Sequence, residues 1–229
     1  MFEEQYLLIG NSRLHWAKFF NENYLFNHTS KNELFPKDIN IKKLIWASVG
    51  YYSTDILNQK NELKLKDLEI QNLPSHFGVD RALACFYASN HIYNPFKKNF
   101  VIADLGTTLS ITKVNFRGHI MGGQLLPGFL TQLQSMEQTT KNLRFPKNFI
   151  VPRENFLLST QEAMLKGVYN ALLGAINLSF DPKEDILILC GGDSNLFKKQ
   201  IHEIKGEVII EPNLVMLGMI LHSKMRNKI

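Results

Sequence analysis

Apolar and polar positions divide this chain into short blocks of two periods. Tyr6 to Ile9 (YLLI) is a continuous apolar run stopped by Gly10-Asn11-Ser12, and His15 to Phe20 (HWAKFF) predicts the returning strand. Leu44 to Val49 (LIWASV) predicts a short buried strand. Thr54 to Leu68 is polar with apolar Ile56, Leu57, Leu63 and Leu65, which predicts a surface helix. A loop from Pro74 leads into a helix over Ala82 to His91. Val101-Ile102-Ala103, Ser110 to Val114 and Ile120 to Leu126 then predict three successive strands. Between the last two, Asn115-Phe116-Arg117-Gly118 carries turn chemistry; Gly122-Gly123 breaks the third strand and Pro127-Gly128 stops it. Leu130 to Leu143 predicts a helix ending before Pro146.

Ser159 to Phe180 carries the clearest helical pattern. Ser159 and Glu162 have capping-box spacing, and Ala163, Leu165, Val168, Leu172, Leu173 and Ile176 form an apolar stripe. Gly167 and Gly174 on this helix predict close backbone packing. Asp185 to Cys190 (DILILC) is a buried strand running into Gly191-Gly192-Asp193, followed by a strand at Glu207 to Ile210 and a closing helix from Pro212 to His222. Alternating strands and helices, with a hairpin opening each half, predict an α/β fold with mixed sheets. The order strand, glycine, small polar residues, strand occurs at Gly10 and again at Gly106, about one small domain later. It predicts a duplicated architecture, with residues 1–95 and 96–229 as related halves that each present a turn to a shared cleft.

Composition narrows the classes. The chain has 229 residues, 45% hydrophobic and 21% charged, which is ordinary for a globular protein of one large or two small domains. A net charge of +5 raises a nucleic-acid partner. The basic residues, however, are scattered pairs (Lys42-Lys43, Lys97-Lys98, Lys198-Lys199) with a short tail at Lys224, Arg226 and Lys228, and form no basic helix face. No nucleic-acid partner is predicted. Cys85 and Cys190 form neither a CxxC nor a secreted framework, which predicts buried thiols in a reducing compartment. No apolar run approaches ~20 residues, and the start MFEEQYLLIG lacks a basic region before an apolar core. A cytoplasmic protein without membrane association is predicted.

Three stretches carry candidate chemistry. After Asp104, the residues Gly106, Thr107 and Thr108 place a carboxylate and two hydroxyls on a tight turn where backbone N–H groups can approach a phosphate and Asp can hold a cation. The other reading is a hairpin turn whose Asp and Thr satisfy local backbone groups. In Gly78-Val79-Asp80-Arg81, Asp80 is either a first-turn capping charge or a base, and Arg81 either its ion-pair partner or an anion clamp. Thr160, in the first turn of its helix, can donate to a substrate or phosphate.

Taken together, Gly10-Asn11-Ser12, Gly78-Val79-Asp80-Arg81, Asp104-Leu105-Gly106-Thr107, Gly122-Gly123 with Pro127-Gly128, Thr160 and Gly191-Gly192 resemble, in order and spacing, the type III pantothenate kinases of the acetate and sugar kinase/Hsp70/actin superfamily. The resemblance covers nearly the whole chain. It implies two ribonuclease-H-like (actin-like ATPase) halves with ATP in the cleft between them. It implies ATP-dependent phosphorylation of pantothenate to 4'-phosphopantothenate, the first step of coenzyme A biosynthesis. It further implies Mg²⁺, a requirement for K⁺ or NH₄⁺, and a homodimer. Residue by residue, it makes Asp80 the proton acceptor and Gly78, Val79, Asp80, Arg81 and Thr160 the substrate-binding group. Leu8, Ile9, Gly10, Asn11, Ser12, Arg13, Leu14 and His15 become the first phosphate loop, Thr107 an ATP contact and Asp104 the monovalent-cation ligand.

Three positions depart from the family pattern. Leu8 stands where the loop usually carries a metal-holding Asp, Gln71 where some relatives have a substrate-contacting Tyr, and His15 where some carry Lys. Leu8 motivates an alternative: a degenerate nucleotide-binding relative without transfer. A superfamily kinase for another hydroxyl substrate is a third reading.

Overall fold

The computed structural model describes residues 4–33, 35–53, 55, 57–198, 204 and 206–226. Thr54, Ile56, Lys199 and Lys228, which figure in the sequence patterns above, lie outside them. The chain divides into two compact units. One comprises residues 1–93, 117–120 and 213–229; the other comprises 94–116 and 121–212.

In the first unit, β1 (Gln5–Ile9), β2 (Arg13–Phe20) and β3 (Asn23–Ser30) form an antiparallel meander, and β4 (Ile45–Ser48) adds parallel to β1. The sheet order is β3-β2-β1-β4. Leu7, Ile9, Leu14, Trp16, Leu44, Trp46 and Leu57 make one buried cluster. Side chains alternate along a strand, so Tyr6 and Leu8 share the opposite face of β1. The Tyr6 hydroxyl donates to Glu4 Oε2 at 2.9 Å, and α5 (Leu214–Arg226) packs against β1 and against α1 (Val79–His91).

The second unit repeats the plan. β5 (Asn99–Leu105), β6 (Thr108–Val114) and β7 (Ile120–Pro127) lead a five-stranded sheet of order β7-β6-β5-β8-β9, in which β8 (Asp185–Cys190) runs parallel to β5 and β9 (Glu207–Ile210) parallel to β8. Helices α2 (Phe129–Thr139) and α3 (Thr160–Leu178) pack together, and the buried face of α3 meets the inner residues of β5, β6 and β8 in one core. The short helix α4 spans Ser194–Lys198. Buried Asp185 anchors the sheet bottom: it accepts from Lys113 at 2.8 Å, from Asn99 and from the Asp181 N–H. Both cysteines are buried free thiols, and burial pushes Cys85 up to about 12. Among the described residues no helix is long and apolar enough to cross a membrane.

Several expectations give way to packing. No helix forms between residues 57 and 68; two 3₁₀ turns (Gln59–Asn61, Leu65–Asp67) stand there instead. The Leu63 N–H bonds the Trp46 carbonyl at 2.7 Å, so this stretch lies along β4 and buries Leu57, Leu63 and Leu68 from an irregular path. β3 and α4 go beyond the predicted elements. α2 ends at Thr139, and Glu137 accepts the Phe145 N–H as the chain turns back. β7 runs unbroken through Gly122-Gly123. Ser159 caps α3 without a side-chain hydrogen bond, so no capping box forms, and Met164 rather than exposed Ala163 faces the core.

The helical glycines separate by what surrounds them. Positions Gly167 and Gly174 face open space, so the predicted close packing is absent there. A Cβ at Gly218 on α5 would instead run into the Leu83 carbonyl of α1. Gly218→Ala is therefore expected to lose about 2 kcal/mol of stability. Gly174→Ala is expected to gain about 0.5 kcal/mol, since alanine favours helix and meets no obstacle. Chemical denaturation of the two variants checks the opposite signs.

Candidate functional site

In the first unit the chemistry gathers at the carboxyl ends of β1 and β4. Gly10 donates its N–H to the Arg13 carbonyl at 2.9 Å, closing the β1–β2 turn with Asn11, Ser12 and Arg13 exposed. The turn after β4 lies on it: the N–H groups of Val49 and Gly50 both bond the Ile9 carbonyl, and a Cβ at Gly50 would strike the Gly10 carbonyl. Gly50 was not among the sequence-derived candidates, although LIWASVG repeats the strand-then-glycine order of its neighbours. His15 packs its Nε2 against Gly10, and its Nδ1 lies 2.9 Å from Nδ1 of His28 across the β2–β3 pair. Burial, then the neighbouring His28 and Arg13, lower His15 to about 4, so the ring is neutral at physiological pH. Leu8 is 5% exposed and Leu14 fully buried; both hold the loop by packing, with Ile9, rather than by offering polar groups.

The Gly78–Arg81 segment begins α1. Gly78 is its extended N-cap, Val79 is buried, and a Cβ at Gly78 would fall 2.5 Å from Asp80 Oδ1, so glycine makes room for that carboxylate. The Asp80 Oδ1 accepts the Arg81 N–H at 2.7 Å. Burial raises the Asp80 pKa above the ordinary carboxylate value, opposed by the N–H and charge of Arg81. The Arg81 guanidinium carbon lies 4.1 Å from the centroid of the Phe77 ring, a cation–π contact that restrains it. A cavity of about 330 Å³ adjoins the segment, lined by Ser48, Val49, Glu62, Lys64, Phe77 and Gly78 among others. A half-buried carboxylate of raised pKa, beside a guanidinium held over an aromatic ring, suits a general base and an anion clamp.

In the second unit the corresponding turn joins β5 to β6. Asp104 lies opposite Ser110 and Cys190, at the carboxyl end of β5. A Cβ at Gly128, which opens α2, would strike the Gly106 carbonyl. The Thr107 carbonyl accepts from Gly128 N–H at 2.9 Å and from Thr131 Oγ1 at 2.7 Å, leaving the exposed Thr107 side chain on the outside of the turn. Gly191, at φ +82°, abuts Asp104 Oδ1 and the Leu105 carbonyl so closely that no side chain fits, and Asp193 donates its N–H to Leu105. Asp104, Thr107, Gly128, Gly191 and Asp193 thus meet at one strand end. Thr160 is exposed at the first position of α3.

No group of three or more His, Cys, Asp or Glu that could hold a metal occurs among the described residues. Asp104, whose Oδ1 lies against Gly191 at the end of β5, is the carboxylate of the second unit placed to hold a cation.

Solved structures show the fold: an ADPNP-bound activator of the 2-hydroxyisocaproyl-CoA dehydratase from Clostridium difficile matches with a TM-score of 0.53 and 12% identity, over 100% of this chain and 98% of that one. An archaeal actin homolog in complex with ADP matches with a TM-score of 0.50 and 12% identity, over 98% and 99%. Both likenesses are to two-unit proteins of the actin-like ATPase fold, which this chain shares. A type III pantothenate kinase of Synechocystis is 29% identical over 230 residues, covering 93% of this chain and 87% of the relative. The family model described as type III pantothenate kinase matches residues 38–181, more than half of the chain, so the chain belongs to the type III pantothenate kinase family.

Proposed function

We propose that this chain phosphorylates pantothenate with ATP and a divalent metal, with Asp80 as the proton acceptor. Family membership supports the reaction, and the observation that carries the residue assignment is the carboxylate of Asp80, raised by burial, at the start of α1. Asp80 takes the proton of the primary hydroxyl as that oxygen bonds to the γ-phosphorus of ATP. The bond from that phosphorus to the β–γ bridging oxygen breaks, and ADP leaves. Arg81, restrained over Phe77, grips the pantothenate carboxylate, while Gly78 and Val79 shape the wall beside it. Thr160 donates a further hydrogen bond to substrate. The turn from Leu8 to His15 and the Thr107 turn receive the phosphates through backbone N–H groups that glycine leaves accessible. A divalent ion, Mg²⁺ in this reading, would spread the phosphate charge when bound, and Asp104 would hold a monovalent ion, K⁺ or NH₄⁺. The family resemblance supports a homodimer acting in the cytoplasm.

One observation favours a second reading. Leu8 is buried and apolar where the family usually carries a metal-holding Asp, as expected of a relative that binds nucleotide without transferring phosphate.

Asp80→Asn is expected to lower kcat by about 10²–10⁴ with little change in ATP affinity; equal losses in both would make Asp80 structural. Only ionised Asp80 accepts a proton and its pKa is raised, so wild-type turnover should fall on acidification through a pKa above 3.8. Steady-state kinetics across pH measure both. Asp104→Asn is expected to raise the K⁺ concentration needed for half-maximal rate, and an unchanged K⁺ titration would remove Asp104 from the cation site.

A further inference from the structure

The first phosphate turn lacks the charges that its task calls for. Leu8 contributes none, and His15 is neutral at physiological pH because burial and its neighbours lower it to about 4. Exposed Arg13 is the one fixed cation within the turn itself. A second cation arrives from elsewhere in the fold. Lys31 follows β3, in a tight loop where Ser30 N–H bonds Glu33 Oε1 at 2.9 Å and Glu33 N–H bonds the Ser30 carbonyl at 3.1 Å. This exchange occupies Glu33 and fixes the loop. The Lys31 Nζ then donates to the Tyr51 carbonyl at 2.8 Å. A Cβ added at Gly50 would fall 2.8 Å from Lys31 Nζ and would also strike the Gly10 carbonyl, so the ammonium, Gly50 and the Gly10 turn meet at one point. The partner of Lys31 is a carbonyl, and none of the ion pairs among the described residues involves it. An ammonium has three donors, and one carbonyl uses one of them.

We propose that Lys31 is a nucleotide-binding residue, whose ammonium contacts the polyphosphate of ATP at the Gly10–Gly50 turn. The proposal rests on the reading that Leu8 to His15 form a phosphate loop. Its physical basis is the pairing of a fixed cation with a polyanion beside backbone N–H donors, where a charged hydrogen bond is stronger than a neutral one. Tyr51 acts through its carbonyl and holds Lys31 in place, so the identity of its exposed ring is immaterial to the contact.

The test compares Lys31→Met, Lys31→Gln and Lys31→Arg by calorimetric titration with ATP, without pantothenate, and by steady-state kinetics on variants whose unfolding midpoints match wild type. Met and Gln are expected to weaken ATP binding about tenfold and to raise the ATP KM in parallel, with the pantothenate KM unmoved. Arg, which keeps the charge, should retain most of the affinity. Gln still offers Tyr51 a donor, so full affinity in Lys31→Gln would show that Lys31 only anchors the loop and would overturn the proposal. Unchanged ATP affinity in Lys31→Met, or equal rises in both Michaelis constants, would overturn it as well. A wild type that binds ATP but does not turn over pantothenate fails the kinase reading, while the titrations still decide the role of Lys31.

Discussion

The constraint on which both units depend is the approach of one turn on another where a Cβ cannot fit. At the end of β1 the Gly10 carbonyl presses on Gly50, and at the end of β5 the Gly106 carbonyl presses on Gly128. In each case an antiparallel meander supplies the turn, and the next stretch of backbone is laid across it. A side chain at Gly50 or Gly128 would lift the second stretch away and open the strand end. The same sheet order, with a parallel strand beside the first strand of the meander, recurs in both units. Duplication is therefore visible in the internal geometry of each half.

Charge is distributed unevenly over this scaffold. The first unit buries the face of β1 at Leu8, keeps His15 neutral and half-buries Asp80, whose carboxylate is destabilised by burial and steadied by one backbone N–H. The second unit sets Asp104 against Gly191, and Asp193 joins there through its backbone N–H to Leu105. In the proposed reaction a base of raised pKa and a cation-holding carboxylate are different electrostatic tasks, and they fall to different units. Losing an acid at position 8 is compatible with chemistry in which the metal keeps most of its water and takes phosphate oxygens as ligands.

Much of this was legible in the sequence because it depends on local rules. Continuous apolar runs marked β1, β4, β5 and β8, and the glycine-plus-small-polar signature marked the turns at Gly10, Gly106 and Gly191. What escaped depends on neighbours far along the chain. β3 is an edge strand with mostly exposed side chains, so burial leaves little pattern in NYLFNHTS. Leu57, Leu63 and Leu68 are buried by a path along β4 that mimics a helical spacing without forming a helix. Gly218 looks like any helical glycine until the Leu83 carbonyl is seen beside it, whereas Gly167 and Gly174 looked special and face open space. Gly50 carried a strand-then-glycine signal, but its contact with Gly10, like that of His28 with His15, shows only in the β1–β4 and β2–β3 registers.

The most direct test of the central claim is coupled ADP release by the purified chain, with and without pantothenate, in Mg²⁺ with K⁺ and then with Na⁺ in its place. The account predicts pantothenate-dependent turnover that needs K⁺, with Leu8 tolerated. A folded, ATP-binding protein that releases no ADP in response to pantothenate under either condition would contradict it.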